Sequence, residues 1–239
     1  MRAFSPLMKL ALGLGIVLVT FLGISKAATP VPKAPQILIQ AKFVQITTGT
    51  SGAAPLPAPL DVAGKVPGLI GTLTDPQCQT LIRALSQRKG VDLMSAPQLT
   101  ARLGQEAKAE VARRFDYTNE AGKPATAKLG VALTVLAKMK GEGQFDLDLS
   151  PEIVDCDGFI DHKSGWSEPI FSVSQAKMNV VMKSGQTVIL EMDPKTDKQV
   201  VEEEDAAGRI ESRTELHHSR TLVFVTAYLI DPTTGKPRR

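Results

Sequence analysis

Apolar and polar residues alternate along most of this chain, and the alternation repeats in stretches bounded by turn residues. Residues 36–47 place Ile37, Ile39, Ala41 and Phe43 on one face, which is the period of a strand. Val131, Leu133, Val135, Ala137 and Met139 do the same, as do Phe145, Leu147 and Leu149. Between these two runs lies Lys140-Gly141-Glu142-Gly143, whose glycines permit the positive φ of a tight hairpin. A second hairpin is predicted from 170–182 and 187–192, joined by Lys183-Ser184-Gly185-Gln186. Residues 221–230 are apolar on both faces, so both must be covered, and the segment is predicted to be a central strand.

One stretch has the period of a helix. Asp75-Pro76 opens it, Asp as a cap for free amides and Pro preset for the first turn. Cys78, Leu81, Ile82 and Leu85 then recur on one face, and Arg88-Lys89-Gly90 supplies cations and a stop. A short run at 91–94, the turn Ser95-Ala96-Pro97, a strand over 98–103 and a Gly104-Gln105 turn lead into 106–114. The pattern predicts a mainly β protein with one or two helices (α+β), built from long antiparallel hairpins packed with a short helix.

The remaining segments are irregular in pattern. Arg2 and Lys9, an uncharged stretch over 10–25 and the small-residue site Ser25-Lys26-Ala27 describe a secretory signal peptide over 1–27. Its apolar part falls short of the roughly 20 residues that span a bilayer, which favours cleavage over an uncleaved anchor. Residues 28–35 form a Pro-rich linker, 36–232 the core domain and 233–239 a tail; within the core, 48–67 is rich in Gly, Ala and Pro and is predicted to be a surface loop. Residues 193–219 include Glu202, Glu203, Glu204 and Asp205 in a row and few apolar residues, and are predicted to be an acidic mobile loop.

Charge narrows the function classes. The chain has 28 Lys and Arg against 25 Asp and Glu, and three of the cations (Arg2, Lys9 and Lys26) sit in the leader, so the remainder is balanced at 25 of each. The basic excess belongs to the leader and is no footprint for nucleic acid.

Reactive chemistry is sparse. Cys78 and Cys156 can pair in an oxidising compartment, or Cys78 can be a buried thiol on its helix face. Ser174-Gln175-Ala176-Lys177 has the S-x-x-K spacing of penicillin-binding enzymes, but it falls on a predicted strand and no S-D-N accompanies it. Asp155, Asp157, Asp161 and His162 form a polar cluster with oxygen ligands for a hard cation but without EF-hand spacing, and are read as a solvated loop between two hairpins, while His217-His218 point to opposite faces of a strand. Trp166 lies between hairpins, as loop packing or an interfacial aromatic. No catalytic, cofactor-binding or metal-binding residues are assigned, and the chain is read as a non-enzyme without a cofactor.

The order of these segments resembles the secretin homology domain of bacterial type II and III secretion systems and type IV pilus systems. Residues 81–107, L-I-R-A-L-S-Q-R-K-G-V-D-L-M-S-A-P-Q-L-T-A-R-L-G-Q-E-A, are similar to the family's helix, strand, S-x-P-x-L-T turn and N-G-Q-x-A turn. Residues 130–135 resemble its V-G-V-x-L-x-V strand, 144–152 its I-x-L-x-I-x-P-E partner, 184–190 its D-G-Q-T-V-V-I-G turn and strand, and 222–232 its closing strand. The motif positions so matched are Pro97, Gly104, Gln105, Gly130, Gly185 and Gln186.

The chain departs from the family in two places: Glu191-Met192-Asp193 replaces a glycine pair and the V-P-x-L-G lip segment, and only 28–35 precedes the entry strand, where the family has periplasmic domains. The resemblance implies a structural subunit, exported to the outer membrane or periplasm of a Gram-negative-type bacterium, a homo-oligomer that works with other secretion or pilus components. The departures leave a second reading open, a non-pore periplasmic interaction module on the same fold.

Overall fold

The computed structural model describes residues 35–48, 68–141, 143–162, 165–204 and 210–237. The leader, the linker before Pro35 and the loop predicted after Thr48 lie outside these residues. Among the described residues there are one helix, α1 (Asp75–Ser86), and twelve strands. The strands are β1 (Gln36–Thr48), β2 (Leu69–Leu73), β3 (Val91–Ser95), β4 (Gln98–Arg102), β5 (Glu106–Thr118), β6 (Pro124–Gly141), β7 (Gln144–Asp161), β8 (Ser167–Gln175), β9 (Met178–Lys183), β10 (Thr187–Glu191), β11 (Lys195–Glu204) and β12 (Ile210–Ile230).

They form two sheets. The first runs β2-β10-β12-β1-β3, with β4 sharing the outer side of β1 with β3 and β11 sharing the side of β12 with β10; the second runs β5-β6-β7-β8, with β9 beside the other half of β7. The described pairings are antiparallel.

The alternation read from the sequence is what packs the two sheets face to face. Ile37, Ile39 and Phe43 of β1, Leu133, Val135 and Ala137 of β6, Phe145, Leu147 and Leu149 of β7 and Val223 and Val225 of β12 meet in one core, all fully buried. On the far side of the first sheet, Cys78, Leu81 and Leu85 of α1 cover Val44, Ile46, Ile189, Leu222 and Phe224. The first sheet is therefore the middle layer of three. That placement explains why β10 and the apolar part of β12 are buried on both faces, as fully apolar strands must be.

The sequence reading needs three corrections. The helix begins one residue earlier than its Asp-Pro opening suggests: Thr74 is the N-cap, its N–H and hydroxyl both donating to Gln77 Oε1 at 2.9 Å, and Asp75 sits in the first turn.

The predicted hairpin across Lys183-Ser184-Gly185-Gln186 is not a hairpin. β9 pairs with β7 and β10 with β12 and β2, so the turn carries the chain from one sheet to the other. Its atoms bind both layers: Ser184 N donates to Gly143 O at 3.0 Å, Gly185 N to Ala227 O at 2.8 Å, and Leu229 N to Ser184 Oγ at 3.1 Å. Alternation is a property of each strand alone, so it could not tell which neighbour each strand takes.

The acidic segment is not a loop across its described residues, because Lys195–Glu204 pairs along its whole length with the start of β12, Lys195 opposite Ser219 and Glu204 opposite Ile210. A backbone ladder on β12 satisfies the amides and carbonyls of this segment that face it, which its low apolar content did not signal.

Candidate assembly surface

Sheet edges left without a partner are the most reactive feature of the fold. Within the second sheet β5 pairs only with β6, while β8 and β9 lie end to end along β7 with their outer sides unpaired among the described residues. Within the first sheet the corresponding sides open among the described residues belong to β2 and to β3 and β4, and β11, paired only with β12, is open on its outer side as well. An edge of this kind presents a row of amides and carbonyls that templates pairing with another chain.

The open edges fall on the same two flanks of the two layers. Leu103, Gly104 and Gln105 link β4 to β5, and Gly104 N donates to Ala137 O at 2.7 Å, which holds the β3/β4 side of one sheet over the β5 side of the other. On the opposite flank, a Cβ built on Gly68, next to β2, would lie 3.2 Å from Met178 Cε of β9. Both walls of the sandwich are thus open left and right.

The face of the second sheet that points away from the core is polar and paired within the chain. Lys128 Nζ donates to Glu110 Oε1 at 2.6 Å, Arg114 Nε to Asp116 Oδ1 at 2.8 Å, and Asn179 Nδ2 to Asp148 Oδ1 at 2.8 Å. Lys128 holds the Glu110 carboxyl below its usual value, and hydrogen bonds from Thr126 and Arg114 do the same for Asp116. Between these charges run small side chains, and a hollow of about 390 Å³ opens among Lys108, Thr134, Ser150, Glu152, Gln175 and Lys177. The surface is mixed in sign.

Beyond the reach of the first sheet, the far ends of β5–β6 and β7–β8 curl toward each other. Phe115 and Tyr117 of β5 meet Phe171 of β8 at ring-centre distances of 6.0 and 5.2 Å, although two strands separate β5 from β8 in the sheet. The bends are placed at glycine. Gly130 has φ +148° where a Cβ would lie 2.2 Å from Val111 O, and the pairing of β7 with β8 shifts register between Cys156 and Gly158.

The six motif positions are spread along the fold as backbone fixtures and do not gather into a pocket. Pro97 O accepts from Ala41 N at 2.9 Å, Gln105 N donates to Arg102 O at 3.2 Å, and Gln186 Oε1 accepts from Lys183 N at 2.7 Å. With Gly104, Gly130 and Gly185 they set turns and one bend.

The polar residues singled out from sequence are likewise dispersed. Asp155, Asp157 and Asp161 lie on β7 and not in a loop between hairpins. Asp155 accepts from Cys156 N, Asp157 accepts from Ser172 Oγ, and Asp161 accepts from Ser167 Oγ. His162 sits 3.0 Å from Glu168 Oε2 and stacks on Trp166 at 4.1 Å, closing the β7–β8 tip. Among the described residues no three His, Cys, Asp or Glu side chains gather around one ion position. Thr196 Oγ1 meets His218 Nδ1 across the β11–β12 ribbon, while the His217 side chain lies outside the described residues.

Both cysteines are free thiols, and burial pushes that of Cys78 up. Ser174 Oγ is buried with no hydrogen-bond partner, so no base stands at its hydroxyl, and Lys177 is exposed on the break between β8 and β9. An orphaned buried hydroxyl costs stability, and Ser174→Ala is expected to raise the unfolding free energy by about 1 kcal/mol, read from the denaturant midpoint.

The family model described as bacterial type II and III secretion system protein, Secretin, matches residues 84–191. No curated protein matches the chain in sequence.

Among solved structures, the chain is similar to the Vibrio cholerae type IV competence pilus secretin PilQ at 14% identity and TM-score 0.46, covering 82% of this chain and 61% of that one. It is similar to PulD in the Klebsiella pneumoniae type II secretion outer-membrane complex at 13% identity and TM-score 0.48, covering 83% and 41%. It is also similar to the type II secretin GspD of enteropathogenic Escherichia coli at 15% and 0.46, covering 85% and 71%. The chain spans 61%, 50% and 41% of the first three such structures. Over residues 84–191 the chain matches the secretin family of bacterial type II and III secretion system proteins, and the resemblance read from its strands and turns stands.

Proposed function

We propose that this protein is a secretin-like subunit of a bacterial outer-membrane export or pilus channel, a structural component that assembles by β-strand pairing. The observation that carries the reading is the shared openness of both walls: among the described residues, each sheet ends in unpaired strands on the same two flanks. A copy placed on one flank leaves its own far flank open, so the contact is head-to-tail and repeats until rotation closes a ring. Closure pairs the flanking edges that a single copy leaves open. The polar face of the second sheet suits a wall in contact with water, and the role is one of shape rather than of reactive groups.

The exported location follows from the leader, and the partners are further copies and other secretion or pilus components. Unheated gel electrophoresis of fractionated membranes tests the proposal. A slowly migrating species in the outer-membrane fraction, collapsing to the single-chain band on heating, is expected. A soluble single chain in the periplasmic fraction would refute it and favour the alternative, a non-pore interaction module, to which the replacement of the lip segment by Glu191-Met192-Asp193 and the β11–β12 ribbon lends support.

A further inference from the structure

The two sheets differ in the parity of their strand counts, and the difference says which of them sets the contact between copies. At the level of residues 106–112 of β5, crossing the second sheet meets four strands, β5, β6, β7 and then β8 or β9, each antiparallel to the last. The strand at one edge therefore runs opposite to the strand at the other, and the β5 of a neighbouring copy meets the β8–β9 edge antiparallel. Crossing the first sheet meets five, β2, β10, β12, β1 and β3 or β4, so its edges run the same way and neighbours would meet parallel through strands of five residues. The longer antiparallel edge, thirteen residues on β5 against the consecutive β8 and β9, has the greater capacity to fix register.

Register can be read across the sheet. Glu106 is level with Leu136, Asp148 and Asn179, and Glu110 with Ala132, Glu152 and Gln175. Lys108 lies midway between the two glutamates, and Lys177 midway between Asn179 and Gln175. Neighbours meeting without stagger would set Lys108 directly opposite Lys177, and like charges directly opposite are destabilising. A closed barrel needs a stagger in any case, and only an even one keeps each face on its own side. A stagger of two residues in one direction sets Glu106 opposite Lys177, and in the other sets Glu110 there. A stagger of four sets Gly104 or Ala112 there.

We propose that a second copy of this chain docks its β5 antiparallel on the β8–β9 edge with a stagger of two residues, so that Lys177 faces a glutamate of its neighbour. This rests on the ring reading given above and assigns its contact. All three residues are exposed, on the polar face of the sheet.

The test uses full-length chains in membranes with Cys156→Ser throughout, carrying Glu106→Cys with Lys177→Cys, Glu110→Cys with Lys177→Cys, or Lys108→Cys with Lys177→Cys, under mild oxidation. Directly opposed cysteines come within disulfide reach and residues two positions off do not. A ladder of covalent multimers from either glutamate pair, with none from the Lys108 pair, is expected. A ladder from the Lys108 pair, or none from any pair while the unheated gel still shows a multimer, overturns the register and leaves the ring standing. Absence of a multimer from the unsubstituted chain overturns both.

A charge test avoids cysteines altogether. Lys177→Glu should lower the multimer fraction by about fivefold, the equivalent of about 1 kcal/mol per cross-strand pair, and Glu106→Lys or Glu110→Lys in the same chain should restore it. No loss on Lys177→Glu, or a loss that neither reversal repairs, counts against the proposal.

Discussion

Gly130→Ala is expected to cost about 2–5 kcal/mol of folding stability, a large share of what a domain of this size has to lose. Two effects add. A φ of +148° is open to glycine and strained for any other residue by about 1–3 kcal/mol. The added methyl group would also lie 2.2 Å from Val111 O and 2.7 Å from Ala112 Cα, which are backbone atoms of the paired strand and cannot swing aside. Either β5 or β6 must move, and a ladder of thirteen register pairs moves with it. Gly104→Ala is the control. Gly104 also has positive φ, at +78°, but nothing lies within 4 Å of its added methyl, so only the conformational part, about 1 kcal/mol, is expected there. Chemical denaturation of the two variants, compared by midpoint and slope, separates crowding from backbone strain. Equal costs would show that the close approach at Gly130 relaxes freely.

Phe145→Ala is expected to cost about 3–5 kcal/mol. Phe145 is fully buried at the end of β7 that begins the long hairpin, opposite Met139 and Met182, in the core between the two sheets. Strand backbones hold the two walls apart, so the space left by the ring cannot collapse as it would beneath a mobile loop. Val181→Ala, between the core residues Val180 and Met182 but on the opposite face of β9 and 45% exposed, should change stability by no more than about 0.5 kcal/mol. A loss at Phe145 below about 1 kcal/mol would mean that the walls close on the void, and that the sandwich is softer than its packing implies.

Much of the fold was legible because alternation is enforced residue by residue. Ile37, Phe43, Leu133 and Leu147 were placed on a buried face by period alone, and all are buried. The helix was legible from Cys78, Leu81 and Leu85, since only a 3.6-residue period brings them together. Pairing partners were not legible. The chain around Gly185 has the length and turn chemistry of a hairpin, and what makes it a corner is the competition of β7 and β12 for the two strands it joins. The acidic ribbon was hidden for a related reason: its order comes from the backbone of β12, and side-chain composition carries no record of a backbone partner. The assembly surface was half legible, because edge strands can be named only after neighbours are known. Lys108 and Lys177 carry no signal at all until register sets them level.

The pairing of β1 with β12 has a consequence for the order of events during folding. Gln36 meets Ile230 and Thr48 meets His218, so the middle layer joins strands almost two hundred residues apart in sequence. Contacts so distant in sequence are slow to form, because a long stretch of chain must be gathered first. In a chain that emerges amino end first, the hairpin of β6 and β7 can zip locally while β1 waits with its apolar side bare until the final strand arrives. During that interval the waiting strand invites misassociation, and a holding factor that shields it would raise the yield of native protein without altering its stability.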